Sequence, residues 1–374
     1  MTATALRLVE GHIPVELVAE CLVYKRRPLL MKKIAVVVAL FVFITTGASL
    51  VVTGSLFALW ANSPYGRCKP IPNRYLNEEM AKTIVPFDDQ DFGKLSINHL
   101  QYLGTHNSFR VAMEIPYIAK FGYSHDKLTF QANYGVRHYE LDSHYDSHNK
   151  RWVVYHLAVI DDRSNCGDCL SDCLSELKTW SDNNKNHTVM IIYLEPKTKL
   201  NARPYCISKD DGNIFLRKES EVLSVFPLQQ IIVPDQIKGN YSTLSQAVIN
   251  RGWPSVESTR GKFLFVMNLW SENMHCKQYY KDKKHPLFFM RTSTPDDPHA
   301  AFFEMPSHGN KEVIKNHLSK NFFVRTGVVT KSMIRSSVDY GAQLLSVDFL
   351  DSNLPRTTRC NPVNSPANCT LSNA

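Results

Sequence analysis

The chain has 374 residues, 44% hydrophobic and 21% charged, the composition of a folded globular protein and not of a disordered, collagenous or low-complexity one. Its net charge of +8 is spread thinly: the first 33 residues hold six Lys/Arg against three Asp/Glu, so +3 sits there and +5 on the remainder. No basic run with interleaved aromatics argues for a nucleic-acid partner. A mildly basic surface suits anionic lipid headgroups but is equally the mark of many ordinary soluble proteins.

An N-terminal segment, residues 1–33, ends in Lys25, Arg26, Arg27, Lys32 and Lys33. From Ile34 to Trp60 there is then no charged residue, a stretch longer than the ~20 helical residues that cross a bilayer. Positive charge on the N-terminal flank places residues 1–33 in the cytosol and everything after Trp60 in the lumen or outside the cell. The expectation is an uncleaved signal anchor over 34–60. A secretory signal starting near Met31 and later cut is the alternative, and would make the protein secreted. Both readings export the remainder.

Cysteine usage agrees with export. Cys21 precedes the apolar stretch; Cys68, Cys166, Cys169, Cys173, Cys206, Cys276, Cys360 and Cys369 follow it, an even number that permits disulfides without fixing their pairing. The close set Cys166, Cys169 and Cys173 lacks the paired four-ligand pattern of structural zinc. Glycosylation sequons begin at Asn186, Asn240 and Asn368, although about three would arise by chance in such a chain.

Residues 61–90, rich in Pro, Asn and other polar residues, read as a juxtamembrane stalk. Beyond it, apolar runs alternate with longer helical patterns, the signature of parallel strands with crossover helices. Strands are predicted at 100–105, 136–141, 152–156, 189–194, 262–268, 322–326 and 343–349, with helices at 170–183 and 311–318. In the first helix Leu170, Cys173, Leu174, Leu177 and Trp180 recur at three- and four-residue spacing, one buried face. Seven or so such strands close most economically as a barrel, and about 250 residues suffice for one. The expected fold is therefore α/β, a (β/α)8 TIM-type barrel over 91–352 with a C-terminal tail at 353–374.

Four predicted strands end in polar residues: Gly104-Thr105-His106-Asn107-Ser108, Tyr139-Glu140-Leu141-Asp142, Tyr155-His156, and Leu194-Glu195-Pro196-Lys197. In a parallel barrel these converge on one rim. Glu140 and Asp142 are two residues apart on an extended segment and so leave the same face. With Glu195 and the amide of Asn107 they offer hard oxygen donors suited to Ca2+ and ill suited to zinc. Imidazole titrates near neutrality, which suits His106 and His156 to the acid and base roles that phosphodiester cleavage needs. Taken singly, each residue has a plainer explanation: a turn Asn, a solvated Glu-x-Asp edge, a structural His.

As an ordered set, however, His106-Asn107-Ser108, Glu140-Leu141-Asp142, His156 and Leu194-Glu195 resemble the catalytic half of phosphoinositide-specific phospholipase C enzymes. The chain is still more similar to their secreted, calcium-dependent bacterial-type group, within the PLC-like phosphodiesterase superfamily. The similarity spans roughly residues 90–350, including the segments at 99–109, 135–142, 155–178, 180–187, 194–197, 260–268, 324–326 and 341–349. It implies His106 and His156 as catalytic histidines and Asn107, Glu140, Asp142 and Glu195 as Ca2+ ligands. It also implies an inositol phospholipid substrate, attacked by its own 2-hydroxyl to release diacylglycerol and a cyclic inositol phosphate that can then be hydrolysed. A disulfide between Cys166 and Cys173 is implied too, with Cys169 an extra. Lys197 and Arg325, at or near strand ends, are candidate phosphate contacts; a solvated or ion-paired cation is the alternative for each. Two rival functions stand beside this one: a glycerophosphodiesterase or sphingomyelinase D-like barrel, and a non-catalytic surface barrel serving as receptor or adhesion module.

Overall fold

The computed structural model describes residues 92–112, 122–157, 161–197, 207–208, 212–269, 284–305, 310–327, 331–350, 358–367 and 369, all within Asn62–Ala374, the second of two compact units. The segments 1–33, 34–60 and 61–90, with Cys68, Cys206, Cys276 and Asn368, lie outside the described residues. Among the described residues no helix is long and apolar enough to cross a membrane.

The strands in chain order are β1 (Leu100–Thr105), β2 (His138–Asp146), β3 (Arg151–Val153), β4 (Met190–Pro196), β5 (Ile207–Ser208), β6 (Gly212–Asn213), β7 (Ile231–Ile232), β8 (Phe263–Met267), β9 (Phe289–Met290), β10 (Phe302–Met305), β11 (Phe323–Thr326), β12 (Leu344–Val347) and β13 (Arg359–Cys360). β1 pairs in parallel with β2 on one side and β12 on the other. Parallel pairing continues through β4, β8 and β9 in one direction and through β11 and β10 in the other. The two edges meet at a single parallel bridge between Arg291 and Phe302. The result is an α/β fold whose parallel strands curve in the TIM-like manner.

Helix and strand agree with the local sequence where the pattern is long. α1 (Leu128–Tyr134) ends on Gly135, whose φ of 105° is open to glycine. α2 (Leu170–Asn183) buries the predicted face, and further along come α3 (Ile214–Leu223), α4 (Leu244–Arg251) and α5 (Lys311–Ser319). Thr243 caps α4 and Asn310 caps α5 through their side chains. β7, β9, β10 and β13 escape sequence prediction because two to four residues show no usable period.

The alternation of each strand sorts its side chains between two layers. Leu103, Tyr139, Leu141, Ile192, Leu194, Phe265 and Met267 join Leu170, Leu174, Leu177 and Trp180 of α2 in one core. Alternate positions, among them Tyr102, Ile191, Tyr193, Val266, Phe302, Phe323 and Leu344, form a second core. Phe302 stacks on Phe323 at 5.1 Å, with Trp253 edge-on to Phe323 at 4.8 Å. Glu140 and Asp142 of β2, Glu195 of β4 and Asn268 just past β8 continue this second set of positions toward the C-terminal strand ends.

Two expectations are corrected. The segment 152–156 is not a barrel strand: β3 runs antiparallel to the far end of β2, His144 opposite Val153, because β2 overshoots the barrel and turns back as a hairpin. Nor is the chain beyond 352 only a tail, since β13 pairs antiparallel with β1 and Cys360 is disulfide-bonded to Cys369. Cys166 is bonded to Cys173 across a Cα separation of 4.7 Å, and Cys169 is also disulfide-bonded, so this trio holds no zinc.

Candidate functional site

Glu140 and Asp142 on β2 and Glu195 on β4 are buried, and one oxygen from each lies within 4.8 Å of the others. The register explains why: Asp142 is directly opposite Glu195 in the β2–β4 ladder, and Glu140 is the next residue down on the same face. Asn268, just past β8, ties the group together by donating to Glu195 Oε2 at 2.8 Å and Glu140 Oε1 at 3.4 Å.

Two cations answer these charges. Arg325 on β11 is buried; it donates to Glu140 Oε2 at 2.6 Å, Glu304 Oε2 at 2.9 Å, Ser346 Oγ at 3.0 Å and His138 Nε2 at 3.0 Å. His138 remains a neutral acceptor, its pKa lowered to about 3 by burial and by Arg325, and its other nitrogen lies 3.1 Å from the Ile191 carbonyl. Gly104 makes room for that ring, because a Cβ there would collide with it. Of the two readings open to Arg325 from sequence, this geometry is that of the ion-paired cation. Lys197 is different: half-buried at the rim, its ammonium stands 3.2 Å from Asp142 Oδ2 and ion-pairs with Glu195.

His106 follows β1, with Nδ1 2.7 Å from Asp348 Oδ1 and Nε2 3.7 Å from Glu140 Oε2. An ionised carboxylate only accepts, so Asp348 holds the proton on Nδ1 and leaves Nε2 toward the carboxylates. Tyr123 Oη lies 2.9 Å from the same Nδ1 and accepts from Asn107 Nδ2 at 3.2 Å. Burial alone would disfavour the imidazolium, but Glu140 and Asp348 outweigh it and raise the His106 pKa. Asn107 takes a left-handed φ of 47°, a region asparagine tolerates, and its N–H donates to Glu140 Oε2 at 3.3 Å. His156, past β3, has Nδ1 2.8 Å from Asp161 Oδ2, and that oxygen also pairs with Arg110 at 2.8 Å.

Burial, together with Glu195 and Glu140, raises the Asp142 pKa, whereas Arg325 holds that of Glu140 down. Both Asp142 oxygens are buried and, among the described residues, accept no hydrogen bond, their charge being met by the Lys197 ammonium 3.2 Å from Oδ2. Carboxylate oxygens left in this state are costly unless a cation meets them. An all-oxygen donor set of three converging carboxylates fits Ca2+, which takes six to eight oxygens in flexible geometry.

Asp348, Asp161, Asn268 and His138 were not singled out from sequence. Asp348 ends the predicted strand at 343–349, so a polar strand end there carried the same signal as the four that were used. Asp161 and His138 carried none, since only folding puts them beside His156 and Arg325.

The model of the family "Phosphoinositide phospholipase C, Ca2+-dependent" matches residues 148–361, more than half of the chain. No curated protein matches. Among solved structures, the chain is similar to the calcium-dependent phosphoinositol-specific phospholipase C of a Gram-negative Pseudomonas sp, in its apo form: TM-score 0.56 and 18% identity over 74% of this chain and 98% of that one. The myoinositol complex of the same enzyme gives 0.55 and 18% over the same shares. The Ca2+-dependent phosphatidylinositol-specific phospholipase C of Streptomyces antibioticus gives 0.50 and 16% over 68% and 95%. These likenesses establish the fold. With the matched model, the chain belongs to the Ca2+-dependent phosphoinositide phospholipase C family. It is accordingly a phosphoric diester hydrolase whose metal is Ca2+. The matched span starts after β2, so Glu195, Lys197, His156 and Arg325 fall inside it while His106, Asn107, Glu140 and Asp142 precede it.

Proposed function

We propose that this protein cleaves an inositol phospholipid to diacylglycerol and a cyclic inositol phosphate, with His106 and His156 as its acid and base. Glu140, Asp142, Glu195 and Asn107 hold the ion in this reading. The observation that carries it is the convergence of the buried Glu140, Asp142 and Glu195 carboxylates, with the Asp348-oriented His106 at their edge. Bound calcium supplies polarisation of a phosphoryl oxygen and a more acidic attacking hydroxyl.

The chain's own groups do the rest. One imidazole takes the proton from the inositol 2-hydroxyl as that oxygen attacks phosphorus, and the other gives a proton to the departing diacylglycerol oxygen. Asp348 and Asp161 fix the two rings by their Nδ1 atoms, as second carboxylates orient histidines in other acid–base sites. Asn268 and Arg325 hold Glu195 and Glu140 in place. Water attack on the cyclic product reuses the same pair in reverse.

The catalytic domain is assigned to the luminal or extracellular side, tethered by Ile34–Trp60 or secreted if that segment is cut. The disulfides Cys166–Cys173 and Cys360–Cys369 support an oxidising compartment.

The test is product analysis on phosphatidylinositol vesicles with calcium and with chelator. Cyclic inositol phosphate should form only with calcium and disappear in His106→Ala. Release of free inositol, with the phosphate left on the lipid, would move the activity to the glycerophosphodiesterase or sphingomyelinase D kind. Normal turnover in His106→Ala would remove the histidine from the mechanism.

A further inference from the structure

Two cations sit on one carboxylate cluster, and they are built differently. The Arg325 guanidinium is 1% exposed and bonded to Glu140, Glu304, Ser346 and His138, so it is a permanent part of the wall. Among the described residues Lys197 pairs only with the cluster itself: its ammonium meets Asp142 and Glu195. Its backbone N–H is pinned to the Ser143 carbonyl at 3.0 Å, which fixes where the side chain starts. That side chain is 25% exposed, so its flexible stem has a route to solvent.

Asp142 and Glu195 are two of the three groups whose oxygens converge. An ammonium and a divalent ion cannot share those oxygens, because like charges a few ångströms apart in a partly desolvated site repel strongly. We propose that Lys197 is the resident counter-ion of the carboxylate cluster, displaced outward when calcium enters. Without the ion it keeps Asp142 and Glu195 from repelling each other. With it, the ammonium is released to the open side of the rim, where the substrate phosphodiester lies in the functional reading on which this inference rests. The lysine therefore lowers apparent calcium affinity and couples ion entry to the appearance of a free cation beside the phosphate.

The two equilibria are linked: if the lysine-occupied form dominates without calcium, its removal must tighten calcium binding by the same factor. Calorimetric calcium titration of the full-length chain should show Lys197→Met binding at least about fivefold tighter than wild type, and Lys197→Arg, which keeps the charge, close to wild type. Thermal unfolding should separate the states a second way. In chelator, Lys197→Met should melt below wild type, and in saturating calcium the gap should close.

Equal or weaker calcium binding by Lys197→Met, while Asp142→Asn loses binding, would overturn the counter-ion role and leave the ligand assignment standing. Undiminished binding by Asp142→Asn would bring down the ligand assignment and this inference with it. A loss of affinity in both lysine variants alike would also overturn it, by showing a packing role in place of an electrostatic one.

Discussion

β2 and β4 are joined by six registered residue pairs and β4 and β8 by five, whereas β9 reaches β10 through one bridge and β11 meets β12 at one registered pair. The carboxylates of the cluster and Asn268 all belong to the first region, on β2 and β4 or just beyond β8. The second region supplies Arg325 and, past β12, Asp348. His106 and His156 stand beyond strand ends. The three carboxylates thus sit where the β2–β4–β8 ladder holds the backbone in register, and groups that orient or move protons sit where the chain leaves the sheet. A site divided this way fixes its carboxylates through the ladder and its imidazoles through Asp348 and Asp161.

Breaking the first region should have the largest effect. Glu195→Gln removes a donor and is expected to cut calcium-dependent release of inositol phosphate by about a thousandfold or more; a loss below tenfold would show that the ion does not depend on β4. Arg325→Met, in the second region, should act on stability first. It leaves Glu140 buried without its guanidinium and should cost roughly 3–5 kcal/mol in denaturant unfolding, an effect that excess calcium partly restores.

Asp348→Asn should be milder and of another kind. With the Nδ1 proton no longer held, kcat should fall about a hundredfold at little change in KM or calcium affinity. If calcium affinity fell with it, the division between the two regions would fail.

The narrowest effect, confined to the pH dependence of stability, concerns Lys218 on α3, buried beneath β2 with Nζ 2.7 Å from Ser143 Oγ and over the Trp152 ring. Burial lowers its pKa from 10.5 to about 7, against the pull of Glu221, Asp142 and Glu195. The unfolded chain then binds the extra proton between these values, so stability should rise from about pH 7 to about pH 10.5 through this group. Its slope is at most about 1.4 kcal/mol per pH unit. Lys218→Met should remove that slope, read from unfolding curves across the window.

Much of this arrangement was legible before folding. The helix at 170–183, the strands of the first region and the polar residues that end them follow from period and composition, because each rests on neighbours a few residues away. The ordered string from His106 to Glu195 was enough to indicate the chemistry. By itself the sequence thus determined the α/β class, and it singled out the candidate ion-binding carboxylates and the two candidate histidines. Only the tertiary structure joined His106 to Asp348, paired Arg325 with Glu140, turned β3 back along β2, placed Lys197 on the cluster and gave β9 and β10 strand geometry. The physical reason is range. His106 and Asp348, or Arg325 and Glu140, stand more than a hundred residues apart and leave no periodic trace, short strands show no usable period, and a charged side chain reads the same whether it faces water, a phosphate or a buried carboxylate until the strands set its neighbours.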